Sequence, residues 1–422
     1  MKNLSIKNKF LLFTIFIFFY AVFYLYLKKG VGNDTSISEW LINYNGGFTR
    51  RGLGGEINIF LANLFSISLR DAIFFVQAVF HSSYLLLLFL YIRKFKLDII
   101  QFFALFSPLF LLYPIAELEA LGRKEILIFL FFISTLFLCD KRFKPIFVNT
   151  FVFIFFPIVC FIWEEIILFA PFFAVVLIDK NKFFIFKDTI IKLLVIFFPS
   201  IVSILIIFFL PLSNEGHSAM CEFLQTKFGE KCYMSAELLI ENTIYFDTFF
   251  IHEKAKFFPH YLRYILIFFI GFLPLHLTIV KNSFTNKDNF ITKNFSPIYL
   301  FVLLYVPILL LFAFGHDWGR WVHITYSLSI LLYFYFLKKE IITNNFHSNF
   351  LTNMFQKRKS ILIATFFIFA FFWNPKTLIT GDVATNSLYK IIYNSSKIIF
   401  NYGGLRIFQD HPLMKFHKKF IE

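Results

Sequence analysis

Long apolar runs alternate with short polar stretches along nearly the whole chain. No strand-like alternation interrupts them, so the pattern predicts helices throughout. A helix needs about 20 apolar residues to cross a bilayer core, or fewer when flanking side chains snorkel to the interface. On that rule the runs near 10–27, 72–92, 99–115, 125–139, 146–163, 166–179, 189–211, 262–280, 297–314, 322–337 and 360–373 are expected spans. The predicted fold is therefore an all-α, polytopic integral membrane helical bundle of about eleven transmembrane helices. No internal repeat or separate soluble domain is visible, so residues 1–422 read as one transmembrane unit. Residues 385–400 read as amphipathic and interfacial. The first run follows Lys2, Lys7 and Lys9 and has no small-residue cleavage site after it, which predicts an uncleaved span.

The basic residues set the orientation. Five connections carry most of them, including Arg93 and Lys94, Arg142 and Lys144, Lys180 and Lys182, Lys287 and Lys293, and Lys338 and Lys339. Every second connection belongs to this set, so these face the cytoplasm by the positive-inside rule. Lys28 and Lys29 depart from it on the outer side. The remaining connections are then extracytoplasmic, including the long 212–261 loop. Glu164 and Glu165 join two short spans, where a re-entrant hairpin is the alternative.

Composition narrows the class further. Only 16% of residues are charged, 58% are hydrophobic and 69 are phenylalanine. A soluble domain carries about a quarter charged residues, so the membrane class is favoured. The net charge of +15 invites a nucleic-acid partner, but the basic residues lie in the connections, which argues against one. No CxxC pair or Cys/His cluster suggests a metal, and no cofactor is implied. Cys221 and Cys232 share the 212–261 loop; they form a disulfide if it faces an oxidising compartment, and are free thiols otherwise.

Charged groups near a bilayer are costly and persist mostly where they act on something. In Gly46-Gly47-Phe48-Thr49-Arg50-Arg51-Gly52-Leu53, glycines can turn backbone N–H groups toward an anion, and two guanidiniums add bidentate donors. The plain alternative is a flexible loop whose arginines grip lipid headgroups. No Walker loop is present. In Gly315-His316-Asp317-Trp318-Gly319-Arg320-Trp321-Val322-His323, a helix would put His316, Arg320 and His323 on one face, with Asp317 placed to pair with Arg320. Trp318 suits either a sugar platform or an aromatic belt. Arg123 is a further phosphate clamp, or else the partner of Glu119 in a helical salt bridge. Adjacent Glu164 and Glu165 cannot both ionise cheaply, so one is expected to have a raised pKa suited to a general base; a solvated loop is the bland reading. The 212–261 loop holds His217, Asp247, His252 and Glu253 without HExxH spacing, and reads as a lid or acceptor-binding segment.

The Gly-Gly-Phe-x-Arg-Arg-Gly-Leu at Gly46–Leu53, the Gly-Arg-Lys-Glu at Gly122–Glu125 and the Asp-Trp-Gly-Arg-Trp at Asp317–Trp321 resemble motifs of Wzy-type O-antigen or capsule repeat-unit polymerases. The resemblance covers motifs and span number, not the whole chain. It implies a bacterial inner-membrane glycosyltransferase with a fold akin to polytopic, metal-independent lipid-linked (GT-C-like) enzymes. Its substrate would be an undecaprenyl-diphosphate-linked glycan polymerised on the periplasmic face, with membrane lipid and a chain-length regulator protein as further partners. In that reading Arg50, Arg51, Arg123 and Arg320 bind diphosphate, and Glu164, Glu165 or Asp317 is the base. Gly46, Gly47, His316, Trp318 and His323 then complete the substrate site. The chain departs from the group in lacking a large, obviously folded periplasmic loop. The rivals are a transferase adding a single sugar, which would place acidic residues in the first outer loop, and a flippase or transporter.

Overall fold

The computed structural model describes residues 6–30, 35–95, 97–140, 142–237, 239, 258–280, 282–342, 358–379 and 387–392. Asp247, His252 and Glu253 lie outside these residues. Of 385–400, only 387–392 are described, and they are helical. Among the described residues the chain is helical without strands; one isolated antiparallel bridge joins Phe284 to Ile342.

Four helices are long and apolar enough to cross a membrane: α1 (Ile6–Lys28), α4 (Leu69–Ile92), α9 (Pro145–Ile162) and α11 (Phe186–Phe209). A bent pair, Phe258–Gly271 with Leu273–Val280, makes a fifth if the 51° bend is crossed as one span. The expected count of about eleven is not met among the described residues, for reasons visible in the backbone. The 99–115 run breaks into α5 (Ile99–Leu105) and α6 (Leu112–Ala116). The 297–314 run breaks into Pro297–Tyr305 and Leu309–Phe314 around Pro307, whose missing N–H interrupts the ladder. The 166–179 run opens with a 3₁₀ stretch, Glu164–Phe169, before α10 (Ala170–Asn181). The 125–139 run is α8 (Glu125–Leu138), only 14 residues, and Lys359–Phe371 has 13. Short helices α2 (Thr35–Ser38) and α7 (Leu118–Leu121) and the longer α3 (Leu53–Phe65) fill the connections between α1 and α4 and between α6 and α8.

The helix Trp318–Lys338 runs through the interior, and every residue from Gly319 to Phe336 is buried. Its 21 residues span about 30 Å, close to the thickness of a bilayer core. Polar residues are tolerated there because they bond back along the helix. Thr325 Oγ1 donates to the Trp321 carbonyl and Ser329 Oγ to that of Thr325, both at 2.7 Å. By contrast α11 turns Ile191, Leu194, Val195, Phe198, Phe208 and Phe209 outward, an apolar face suited to lipid.

The basic connections meet at one end of this helix. Lys338 pairs with Asp140 at 3.5 Å, Lys180 donates to the Asp140 carbonyl at 2.9 Å and Lys182 pairs with Asp288 at 2.6 Å. At the other end lie Arg320, Glu125 and the loops described below. Lys29, which departs from the charge rule, pairs with Asp71 at 2.5 Å at the head of α4, so its charge is matched locally.

α12 (Asn214–Phe228) begins at Ser213, whose hydroxyl caps Gly216 N–H at 3.0 Å, and ends at Gly229 with φ +67°. It occupies the front half of the 212–261 segment. A disulfide between Cys221 and Cys232 ties its C-terminal half to the strand of chain that follows. His217 lies 3.5 Å from the Cys221 sulfur.

Candidate functional site

The loop after Trp40 is shaped by close approach. Gly46 touches the backbone of α12 so tightly that a Cβ there would sit 1.7 Å from the Gly216 carbonyl oxygen. Gly47 closes the turn with φ +106°, and its N–H donates to the Tyr44 carbonyl at 2.9 Å. Of the glycines expected to cradle an anion, Gly46 thus packs this loop against α12 and Gly47 shapes its turn.

Arg51 follows with φ +65°, a left-handed conformation rarely adopted by a residue with a Cβ. Its side chain crosses to the 3₁₀ stretch. Nε donates to both oxygens of Glu164, at 3.0 and 2.9 Å, and Nη2 donates to Glu165 Oε1 at 2.8 Å. Arg50 Nη1 stands 3.7 Å from Glu164 Oε1. The Arg51 carbonyl accepts from Lys124 Nζ at 3.0 Å. One residue thus joins three of the segments singled out in the sequence.

The remaining pairs close around it. Arg123 donates to buried Glu39, not to Glu119, which is exposed. Arg320 donates to buried Glu125 and to Asp317, confirming the expected Asp317–Arg320 pairing. Trp40 Nε1 and Gln77 Nε2 each donate to the Gly122 carbonyl at 2.7 Å, fixing the turn that presents Arg123 and Lys124. Five cations (Arg50, Arg51, Arg123, Lys124, Arg320) therefore face five carboxylates (Glu39, Glu125, Glu164, Glu165, Asp317). Glu39 lies within electrostatic reach of Arg123, Arg320, Arg51 and Lys124, so the pairs form one cluster.

Burial and pairing separate the acids. Burial alone would raise the Glu39 carboxyl, but its four cationic neighbours hold it at about 2. At Glu164 burial also pushes upward, and Arg51 and Arg50 outweigh it, keeping the carboxyl below its ordinary range. At Glu165 burial prevails over Arg51 and the charge on Glu164 adds to it, so this carboxyl lies above its ordinary range. Burial pushes the Lys124 ammonium down to about 7 against the pull of Glu39. Glu39 Oε2, Glu125 Oε2 and Arg123 Nε are buried and have no partner among the described residues. Such atoms are rare in folded proteins and mark places where water or ligand completes the bonding.

A tight apolar cavity of about 30 Å³ abuts the cluster. Ile17 and Ala21 of α1, Tyr84 and Leu85 of α4 and Phe129 of α8 line it, and Glu125 and Arg320 reach its edge.

Other expected site residues sit differently. The interior helix starts at Trp318, so His316 is outside it; its carbonyl accepts from the N–H groups of Trp318 and Ile379, both at 2.9 Å. His323 is enclosed, stacked on Tyr113 at 4.7 Å, with Nδ1 donating to the Leu109 carbonyl at 2.8 Å. It also lines the apolar cavity. His316, Arg320 and His323 thus do not form one helical face. Trp318 meets Tyr261, Tyr264 and Phe312 edge-on, at 5.5, 5.2 and 5.2 Å, within an aromatic cluster. Glu39, Lys124 and Glu125 are cluster members not proposed from sequence as site residues. The available signal was a charged residue set among apolar ones, Ile37-Ser38-Glu39-Trp40-Leu41, and the adjacency of Lys124 and Glu125 to Arg123. No protein-family model, curated protein or solved structure matches this chain.

Proposed function

We propose that this protein is a membrane glycosyltransferase that polymerises lipid-diphosphate-linked oligosaccharide repeat units on the outer face of a bacterial inner membrane, in O-antigen or capsule synthesis. The observation that carries the reading is the convergence of Arg51, Arg123, Lys124 and Arg320 with five carboxylates beside an apolar cavity. A lipid diphosphate has the same two parts, an anionic head and a long apolar tail. The disulfide in the segment packed against the Gly46 turn fits an oxidising compartment on that side.

In the reaction the diphosphate displaces carboxylates as partners of Arg51 and Arg320. The guanidiniums then stabilise negative charge as it develops on the leaving diphosphate. A hydroxyl of the incoming repeat unit attacks the anomeric carbon of the growing glycan, and the bond from that carbon to the diphosphate oxygen breaks. Glu165, already raised and released from Arg51, takes the hydroxyl proton. Exchange of partners thus couples substrate arrival to activation of the base.

Glu39 supports a second reading. It is an acidic residue of the first outer connection drawn into the cluster, as expected of a transferase adding a single sugar. Deletion of the gene and electrophoresis of surface glycolipids separate the two. Loss of the ladder with retention of a single repeat unit supports the polymerase. An intact ladder of altered band mass supports single-sugar transfer, and loss of all repeat units points to a flippase or an earlier step.

A further inference from the structure

On the same face, a second, open cavity lies at the far end of α3. From Leu53 to Phe65 that helix covers about 18 Å, so the cavity lies one helix length from the loop carrying Arg51. It has a volume of about 450 Å³ and lies between the α3–α4 turn and the C-terminal end of α12.

Its floor is an ion pair whose bonding is already complete. Arg70 Nε and Nη2 donate to the two oxygens of Glu230 at 2.5 and 2.8 Å, Nη1 donates to the Lys29 carbonyl at 2.9 Å and Nη2 to Tyr233 Oη at 3.1 Å. These charges cancel, so the floor does not select a strong anion. The rim is different. The Asn63 amide and Ser66 hydroxyl are exposed and have no side-chain hydrogen bond among the described residues. Phe228 forms a wall, with the Lys227 ammonium 5.5 Å from its ring centroid.

Ser66 adds an independent observation. Its φ is +52°, at the left-handed C-cap of α3 where glycine is the unstrained choice. A hydroxyl is held there in spite of its backbone. On the facing side the disulfide ties α12 to the segment that follows it, and the Arg70–Glu230 pair links that segment to α4.

We propose that this cavity binds carbohydrate, as a subsite that holds the distal part of the acceptor glycan away from the reacting end. Uncommitted amide and hydroxyl groups beside an aromatic wall, with the Lys227 ammonium at its side, suit a polyhydroxylated ligand. The assignment rests on the glycosyltransferase reading for the role of the sugar, but not for its binding.

The test uses the full-length protein in detergent, with saturation-transfer NMR and the oligosaccharide released by mild acid from the host's own surface glycolipid. The wild type is expected to show transfer to the sugar protons. Ser66→Gly removes one hydroxyl while relieving the backbone, and should weaken binding about threefold to tenfold, the worth of one hydrogen bond. Asn63→Trp fills the cavity from an exposed position and should abolish the signal. In the host, both variants should shorten the glycan ladder while Arg51→Ala removes it. Equal transfer in the wild type and Asn63→Trp overturns the subsite even if Arg51→Ala removes the ladder. An intact ladder in Arg51→Ala, with binding still lost in Asn63→Trp, overturns the transferase reading and leaves a glycan-binding cavity. Dihexanoyl phosphatidylglycerol is the competing probe; if it alone shows contacts that Asn63→Trp removes, the cavity is a headgroup site and the proposal fails.

Discussion

Arg51 combines a left-handed backbone, costing roughly 1–2 kcal/mol, with a side chain that bridges two adjacent carboxylates. Such strain persists when the surroundings over-determine it, and here Glu164, Glu165 and Lys124 all hold the residue. Removing one partner of a buried ion pair costs about 3–5 kcal/mol, and the partial exposure of these side chains places Arg51→Ala toward the lower end. A lowered thermal midpoint in detergent is expected, with Arg51→Lys intermediate because it keeps charge but not the planar fork. An unchanged midpoint would show that the pair contributes little. Glu165→Gln preserves shape and should lower turnover about 10²- to 10⁴-fold if Glu165 is the base, with little change in midpoint. Lys124 offers a test in pH. Its folded pKa of about 7 lies below its value of 10.5 in the unfolded chain, so between these values the unfolded state binds the extra proton. Stability therefore rises with pH across that window, and below about 7 the burden of the buried ammonium is fully present. Melting curves of Lys124→Met should lack this part of the rise; parallel curves for the two proteins would contradict the assignment.

At the scale of elements, α12 and the segment after it are joined to the rest by the Arg70–Glu230 pair and the Gly46–Gly216 backbone approach, and to each other by the disulfide. The disulfide closes a short loop, for which chain entropy gives about 3 kcal/mol. The double variant Cys221→Ser, Cys232→Ser should release α12 before the bundle melts, seen as faster tryptic cleavage at Lys227 at temperatures where the remaining helices are protected. Gly46→Ala should do the same without touching the sulfurs, since its Cβ would collide with backbone that has no flexible end to yield. The charge motifs were legible as motifs because charged residues are scarce in so apolar a chain. Their partners were not, because the bonds join residues 84, 113 and 195 positions apart for Glu39–Arg123, Arg51–Glu164 and Arg320–Glu125. The Glu119–Arg123 pairing looked sound from helix spacing, yet Leu118–Leu121 ends before Arg123 and that register is lost.

At the scale of the whole molecule, the basic connections and the charge cluster lie at opposite ends of the interior helix, about 30 Å apart. Alkaline phosphatase fused after Gly229 should be active, and fusions after Lys182 or Glu340 inactive; the reverse pattern would put the cluster on the cytoplasmic side. Hydropathy determined the helical class and the membrane-type surface, because each depends on local composition averaged over a turn or more. Only the tertiary structure decided which apolar runs are continuous helices. A run broken by Pro307 or by the 3₁₀ stretch after Trp163 has the same hydropathy as an intact span. It also decided that the helix after Trp318 is enclosed by protein, and that every arginine offered for phosphate has a carboxylate facing it. Hydropathy is a property of each segment alone, whereas enclosure and charge pairing depend on which distant segments the fold brings together.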